Sequence, residues 1–135
     1  MKLFLDISLR NVGYVVTYPD GRIAYCGVIK TEKDDSLKKT EDLFVRAQQI
    51  ANGVMSAAMG EGGTYPPIDH VVCEAMSWPR NASSAVAMAV AWGAIAASLG
   101  CALDPSAKCD FVAVQTAKRQ FANKRDAEKS EVEAG

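Results

Sequence analysis

The sequence predicts an α/β domain built on a mixed β-sheet. Three observations carry that prediction. Three β-rich runs follow one another within residues 2–30, the pattern of an antiparallel meander. Helical and β-rich runs then alternate, which lays strands parallel with helices between them. The chain is also 135 residues long and 49% hydrophobic, enough for one domain with a real core and too apolar for a disordered chain.

Residues 2–8, KLFLDIS, read as the first strand. Leu3, Leu5 and Ile7 alternate with Phe4, which is itself apolar, so both faces are expected to be covered and the strand central. Residues 12–18, VGYVVTY, and 22–30, RIAYCGVIK, read as the second and third strands. Pro19-Asp20-Gly21 joins them as a turn, Pro fixing φ and Gly accepting a positive φ. Residues 37–59 keep a 3.6-residue period through Leu43, Ala47, Ile50, Val54 and Ala58 and predict a long helix. Residues 60–67, GEGGTYPP, form a loop, and 68–75, IDHVVCEA, a fourth strand. Asn81 or Ser83 can cap an Ala-rich helix over 82–99, with Gly100 available to end it. That helix is long enough for a membrane span, but Ala and Ser dominate it, so it is expected to be a buried helix rather than a span. Residues 110–114, DFVAV, predict a fifth strand, 115–122 a helix and 123–125 a polar connection; another helix begins before Gly135.

The net charge of −1 and a pI near 5.8 argue against a protein that coats DNA through bulk charge. A local basic patch remains: Lys108, Lys118, Arg119, Lys124, Arg125 and Lys129 face only Asp110, Asp126 and Glu128, a net +3 over residues 108–129. Such a run is either a solvated face or a phosphate-binding one. Cys26, Cys73, Cys101 and Cys109 form no CxxC pair and His70 is the only histidine, which argues against zinc and for buried free thiols in a reducing compartment. After Lys2 the apolar run stops at Asp6, so no three-part secretory signal opens the chain, and the expected location is the cytoplasm.

Two acids stand where an acid needs a reason. Asp6 lies near the end of the hydrophobic first strand and Glu74 ends the hydrophobic run VVCE. Strand ends are where α/β folds place ligands, and buried carboxylates without partners are costly. If the two strands are neighbours the acids converge, and paired carboxylates hold Mg²⁺ or Mn²⁺ through hard oxygen ligands. The alternative is that each acid caps a turn.

Three blocks together resemble the RuvC-type Holliday junction resolvases. LFLDISLRNVGYVV is similar to their opening, with an Asp ending strand one and a Gly-Tyr in strand two. VVCEAMSWPRNASSAVAMAVAWGAI is similar to their second block, a Glu at the end of strand four followed by a loop with an aromatic and a basic-Asn pair, then a small-residue helix. VQTAKRQFANKRDAEKSEV is similar to their third. The blocks keep the family's order from residue 3 to residue 133. The resemblance implies an RNase H-like fold, a five-stranded mixed sheet flanked by helices. It also implies a Mg²⁺- or Mn²⁺-dependent endonuclease acting on branched DNA and four-way junctions as a homodimer, in a bacterial cell or a phage-infected host. Asp6 and Glu74 match the first two metal ligands and catalytic acids. Lys118 and Lys129 match basic positions near the DNA backbone, Arg80 and Asn81 the basic-Asn pair, and Trp78 lies close to the place of the junction-core aromatic. The small-residue helix over 82–99 is the candidate dimer surface.

The chain departs from the family pattern in two places. Asp6-Ile7-Ser8 stands where the family shows Asp-Pro-Gly, which points to a divergent or viral member. The family's remaining ligands come from a last helix, and Glu131 and Glu133 lie too early to match them. Residues 1–135 are therefore expected to be a single RNase H-like domain lacking its C-terminal helix, one that folds but cuts poorly. The rival expectations are a non-catalytic RNase H-like module that binds DNA or a protein, and an actin-like phosphotransfer domain, which would need a second domain and an adenosine site.

Overall fold

The computed structural model describes residues 1–60, 65–75 and 81–112. Five strands and two helices follow in the order β1 (Lys2–Asp6), β2 (Asn11–Thr17), β3 (Ile23–Lys30), α1 (Lys39–Met59), β4 (His70–Glu74), α2 (Ala82–Ala102) and β5 (Lys108–Val112). The sheet order is β3-β2-β1-β4-β5. The first three strands form the antiparallel meander, and β4 and β5 add parallel to β1. The two parallel steps need crossovers, and α1 and α2 supply them. β1 is central, as its doubly apolar sequence predicts. In the β2–β3 turn Gly21 takes φ 92°, its N–H donating to the Tyr18 carbonyl at 2.9 Å.

Both described helices cover the same face of the sheet. Leu3, Leu5, Val12, Val16, Val71 and Cys73 meet Ile50, Val54 and Ala58 of α1 and Ala91, Ile95 and Leu99 of α2 in one buried cluster. Each fully buried Val, Leu or Ile among them contributes roughly 1.5–3 kcal/mol of burial. Close approach of α1 to β3 requires Gly53, where a Cβ would come within 2.7 Å of Ile29. The opposite face carries a smaller cluster of Phe4, Val15 and Val72. The helices expected over 115–122 and after Asp126, and so any cover they give the second face, lie outside the described residues.

Five expectations are corrected. β1 stops at Asp6 rather than running to residue 8, because Ser8–Asn11 closes a tight turn. α2 does not end at Gly100 but continues to Ala102, and Asp104 ends it by accepting from the Ser106 N–H at 2.9 Å. β5 starts two residues earlier than expected, at Lys108. α2 is not a buried helix: only Ala91, Ile95, Ser98 and Leu99 are buried, because among the described residues it packs on one side. For the same reason Cys101 on α2 and Cys109 on the edge strand β5 are exposed, and Cys73 alone of the four thiols is buried.

Candidate active site

The parallel β1–β4 ladder pairs Leu3 with Val71, Phe4 with Val72 and Leu5 with Cys73. One step further on each strand stand Asp6 and Glu74. Strand side chains alternate between faces. Leu5 and Cys73 belong to the helix-side cluster, and Phe4 and Val72 to the opposite one. Asp6 and Glu74 therefore share the Phe4–Val72 face, at the carboxyl ends of adjacent strands. Across β2 the partner of Asp6 is Gly13, which puts no side chain beside it. Across β5 the partner of Glu74 is Val112. Glu74 is 8% exposed, and Asp6 is half-buried.

Two carboxylates on one face at neighbouring strand ends can offer oxygens to one cation. The donor chemistry fits Mg²⁺ or Mn²⁺: both groups offer hard carboxylate oxygens, which these ions prefer. Among the described residues no group of three His, Cys, Asp or Glu side chains forms around them.

The neighbourhood is apolar below and polar beside the acids. Burial pushes the Cys73 thiol up to about 12, with smaller contributions from Cys109 and Glu74. Further down the Asp6–Glu74 face, the His70 ring nitrogen contacts the Asp110 carboxylate and stitches β4 to β5. On the other side of Asp6, the Ser8–Asn11 turn is closed by the Ser8 N–H donating to the Asn11 carbonyl at 3.2 Å. The Ser8 hydroxyl donates to that same carbonyl at 2.7 Å.

A polar network grips this turn. The Thr31 hydroxyl donates to the Leu9 carbonyl at 2.6 Å, and the Thr31 N–H to the Arg10 carbonyl at 2.9 Å. Arg46 Nε donates to the Thr31 Oγ1 at 2.9 Å, and its Nη1 lies 3.6 Å from Asp42. Asp42 also accepts the Asp34 N–H at 2.8 Å. None of these residues stands out in the sequence. The nearest signal is an acid four residues before an arginine in the first turns of α1.

Of the other predicted residues, Asn81 is exposed and caps α2, its side-chain oxygen accepting the Ser84 N–H at 2.8 Å. Trp78, Arg80, Lys118 and Lys129 lie outside the described residues. Trp92, in the middle of α2, is half-buried, its ring 5.9 Å from that of Phe111.

This sheet order, with both crossover helices on one face, is an RNase H-like α/β fold. Among solved structures the chain is similar to Thermus thermophilus RuvC in complex with a Holliday junction substrate, with a TM-score of 0.58 and 19% identity over 75% of this chain and 58% of that one. It is likewise similar to a Thermus thermophilus RuvC structure, at TM-score 0.52 and 20% identity, with the same 75% and 58% shares. The chain thus spans less than two thirds of the length of those proteins. Its fold is RuvC-like and divergent in sequence. No protein-family model matches it, and no curated protein does.

Proposed function

We propose that this chain is a metal-dependent endonuclease of branched DNA, with Asp6 and Glu74 as metal-holding catalytic acids. The observation that carries the reading is their placement: successive positions of the β1–β4 ladder bring two acids to one face at the strand ends of a RuvC-like fold. Asp6 and Glu74 would hold Mg²⁺ or Mn²⁺, which when bound supplies an activated water and neutralises charge building on the phosphodiester. The ladder fixes the spacing of the two carboxylates, and the cluster below them excludes water from their strand side.

Four-way junctions are the substrate, and Trp78, Arg80, Asn81, Lys118 and Lys129 are the DNA contacts this reading assigns. A two-fold substrate suits a two-fold enzyme. The outward side of α2 offers the surface: Ala89, Gly93, Ala96 and Gly100 are exposed, on a helix without a single charged residue. The cytoplasm is the location this reading assigns. Nicking of a four-way junction in Mg²⁺ or Mn²⁺, lost in Asp6→Asn and Glu74→Gln while junction binding persists, tests the reading. Cleavage unchanged in both variants overturns it.

The second reading is a non-catalytic RNase H-like module that binds DNA or a protein. It is favoured by one observation, that the described residues bring two acids together rather than three. Junction binding without metal-dependent nicking, in any form of the chain, selects it.

A further inference from the structure

We propose that Thr31, backed by Arg46, is a positioning residue for Asp6. The inference rests on the reading of Asp6 as a metal-holding acid.

Asp6 is the last residue of β1, and the four residues that follow, Ile7-Ser8-Leu9-Arg10, contain neither proline nor a disulfide to stiffen the path. The Ser8–Asn11 bonds close the turn on itself, and Thr31 ties the closed turn to the rest of the domain twice. Its hydroxyl and its N–H take the adjacent carbonyls of Leu9 and Arg10, at 2.6 and 2.9 Å. With two successive peptide units fixed by one residue, the turn has little freedom to swing, and neither has the strand end it closes. Thr31 is itself 2% exposed, so water does not compete for these bonds.

Thr31 would be a weak anchor alone, because a hydroxyl can rotate. Arg46 removes that freedom. Its Nε occupies the acceptor side of the Thr31 oxygen at 2.9 Å, leaving the hydroxyl proton to point at Leu9. Arg46 is held in turn by Asp42, with side chains only 11% and 8% exposed. Asp42 takes the Asp34 N–H from the segment between β3 and α1. The line from Asp34 through Asp42, Arg46 and Thr31 to the β1–β2 turn braces the Asp6 strand end against the first turns of α1. A buried ion pair contributes little to stability by itself, and its best-attested use is to specify one arrangement. Partners behind a ligand set its orientation and so its metal affinity.

The test is a Mn²⁺ titration of the 135-residue chain, followed by the loss of the free-ion electron paramagnetic resonance signal, with melting temperature read in parallel. Thr31→Val removes the hydroxyl at nearly constant shape, and Thr31→Ser restores it. Arg46→Lys keeps the charge facing Asp42 but loses the Nε donor, and reads the same link should Thr31→Val fail to fold. Tyr25→Phe is the stability control. It deletes another part-buried hydroxyl bond, from Tyr25 to the Ala57 carbonyl at 2.6 Å, farther back along β3.

The expected result is Mn²⁺ binding weakened about tenfold in Thr31→Val and Arg46→Lys, near wild type in Thr31→Ser, and unchanged in Tyr25→Phe whatever its melting temperature. Wild-type Mn²⁺ affinity in both Thr31→Val and Arg46→Lys, with binding lost in Asp6→Asn, overturns the brace and leaves the metal site standing. Equal weakening in Tyr25→Phe also overturns it, because the effect is then one of stability. A wild-type chain that binds no Mn²⁺, or binds it equally well as Asp6→Asn, overturns the metal reading and the brace with it.

Discussion

Asp6 and Glu74 occupy successive strand positions just beyond the Leu5–Cys73 pair, on neighbouring parallel strands and on one face of the sheet. Sixty-seven residues of chain, including two strands and a helix, lie between them, yet the parallel register makes them neighbours. Under the proposed reading this pair holds a divalent cation. Mg²⁺ or Mn²⁺ at about ten times its dissociation constant is expected to raise the melting temperature by roughly 3–6 °C. In Asp6→Asn or Glu74→Gln the metal-free protein melts no lower than wild type and the metal-induced rise disappears. Differential scanning fluorimetry across a metal series checks this, and a rise that survives in both variants places the ion elsewhere.

Cys73 supplies a pH-dependent consequence. Its thiol is raised from 9.0 to about 12, chiefly by burial. The native state therefore keeps a proton that the unfolded chain releases. The stability linked to Cys73 is intact below pH 9.0 and lost as pH rises towards about 12. Cys73→Ala, though destabilised at neutral pH by the lost packing, shows a shallower decline between pH 9 and 11. In the native protein at pH 8, iodoacetamide labels the exposed Cys101 and Cys109 well before Cys73. Equal labelling rates in a peptide-mass time course contradict the burial.

The dimer proposed through the α2 face has consequences that mutation can read. A Cβ at Gly93 meets nothing within 4 Å, so Gly93→Ala is expected to stabilise a monomer by about 0.5–1 kcal/mol through helix propensity. A charge on the same face, Ala89→Arg, leaves the fold intact and turns a dimer into monomers. Analytical ultracentrifugation distinguishes the two states, and a wild-type chain that stays monomeric at high concentration removes the dimer.

Asn81 caps α2, and mutation separates that cap from the DNA contact proposed for it. Asn81→Ala loses the α2 cap and about 1 kcal/mol, whereas Asn81→Ser retains a capping oxygen. Under the junction-binding reading Asn81→Ser keeps the melting temperature and still weakens junction binding. Lys118→Ala and Lys129→Ala weaken binding too, and each lowers the slope of log affinity against log salt by roughly 0.9. Fluorescence anisotropy with four-way and linear DNA reads both effects. Equal affinity for the two DNA forms removes the junction preference.

What the sequence disclosed and what it withheld divide along physical lines. Alternating apolar residues in β1 to β3, the Pro19-Asp20-Gly21 turn and the 3.6-residue period of α1 are local signals, and the elements stand within about two residues of where those signals place them. Asp6 and Glu74 were conspicuous because each is a charge ending an apolar run. Their shared face follows only from the β1–β4 register, which no local pattern contains. The end of α2 was misplaced because Gly100 sits on the exposed side, where a helix tolerates it at about 1 kcal/mol; termination waits for the Asp104 turn. Thr31 and Arg46 stayed invisible because their roles arise only when the β1–β2 turn and α1 are brought together.

Anomalous X-ray scattering from crystals soaked in Mn²⁺ reads the Asp6–Glu74 pair itself. A peak is expected on the Phe4–Val72 face of the sheet, bound by oxygens of both Asp6 and Glu74 at about 2.0–2.3 Å, and absent from Asp6→Asn crystals treated alike. A well-ordered soak with no density between the two carboxylates, or with Mn²⁺ bound only at other sites, contradicts it.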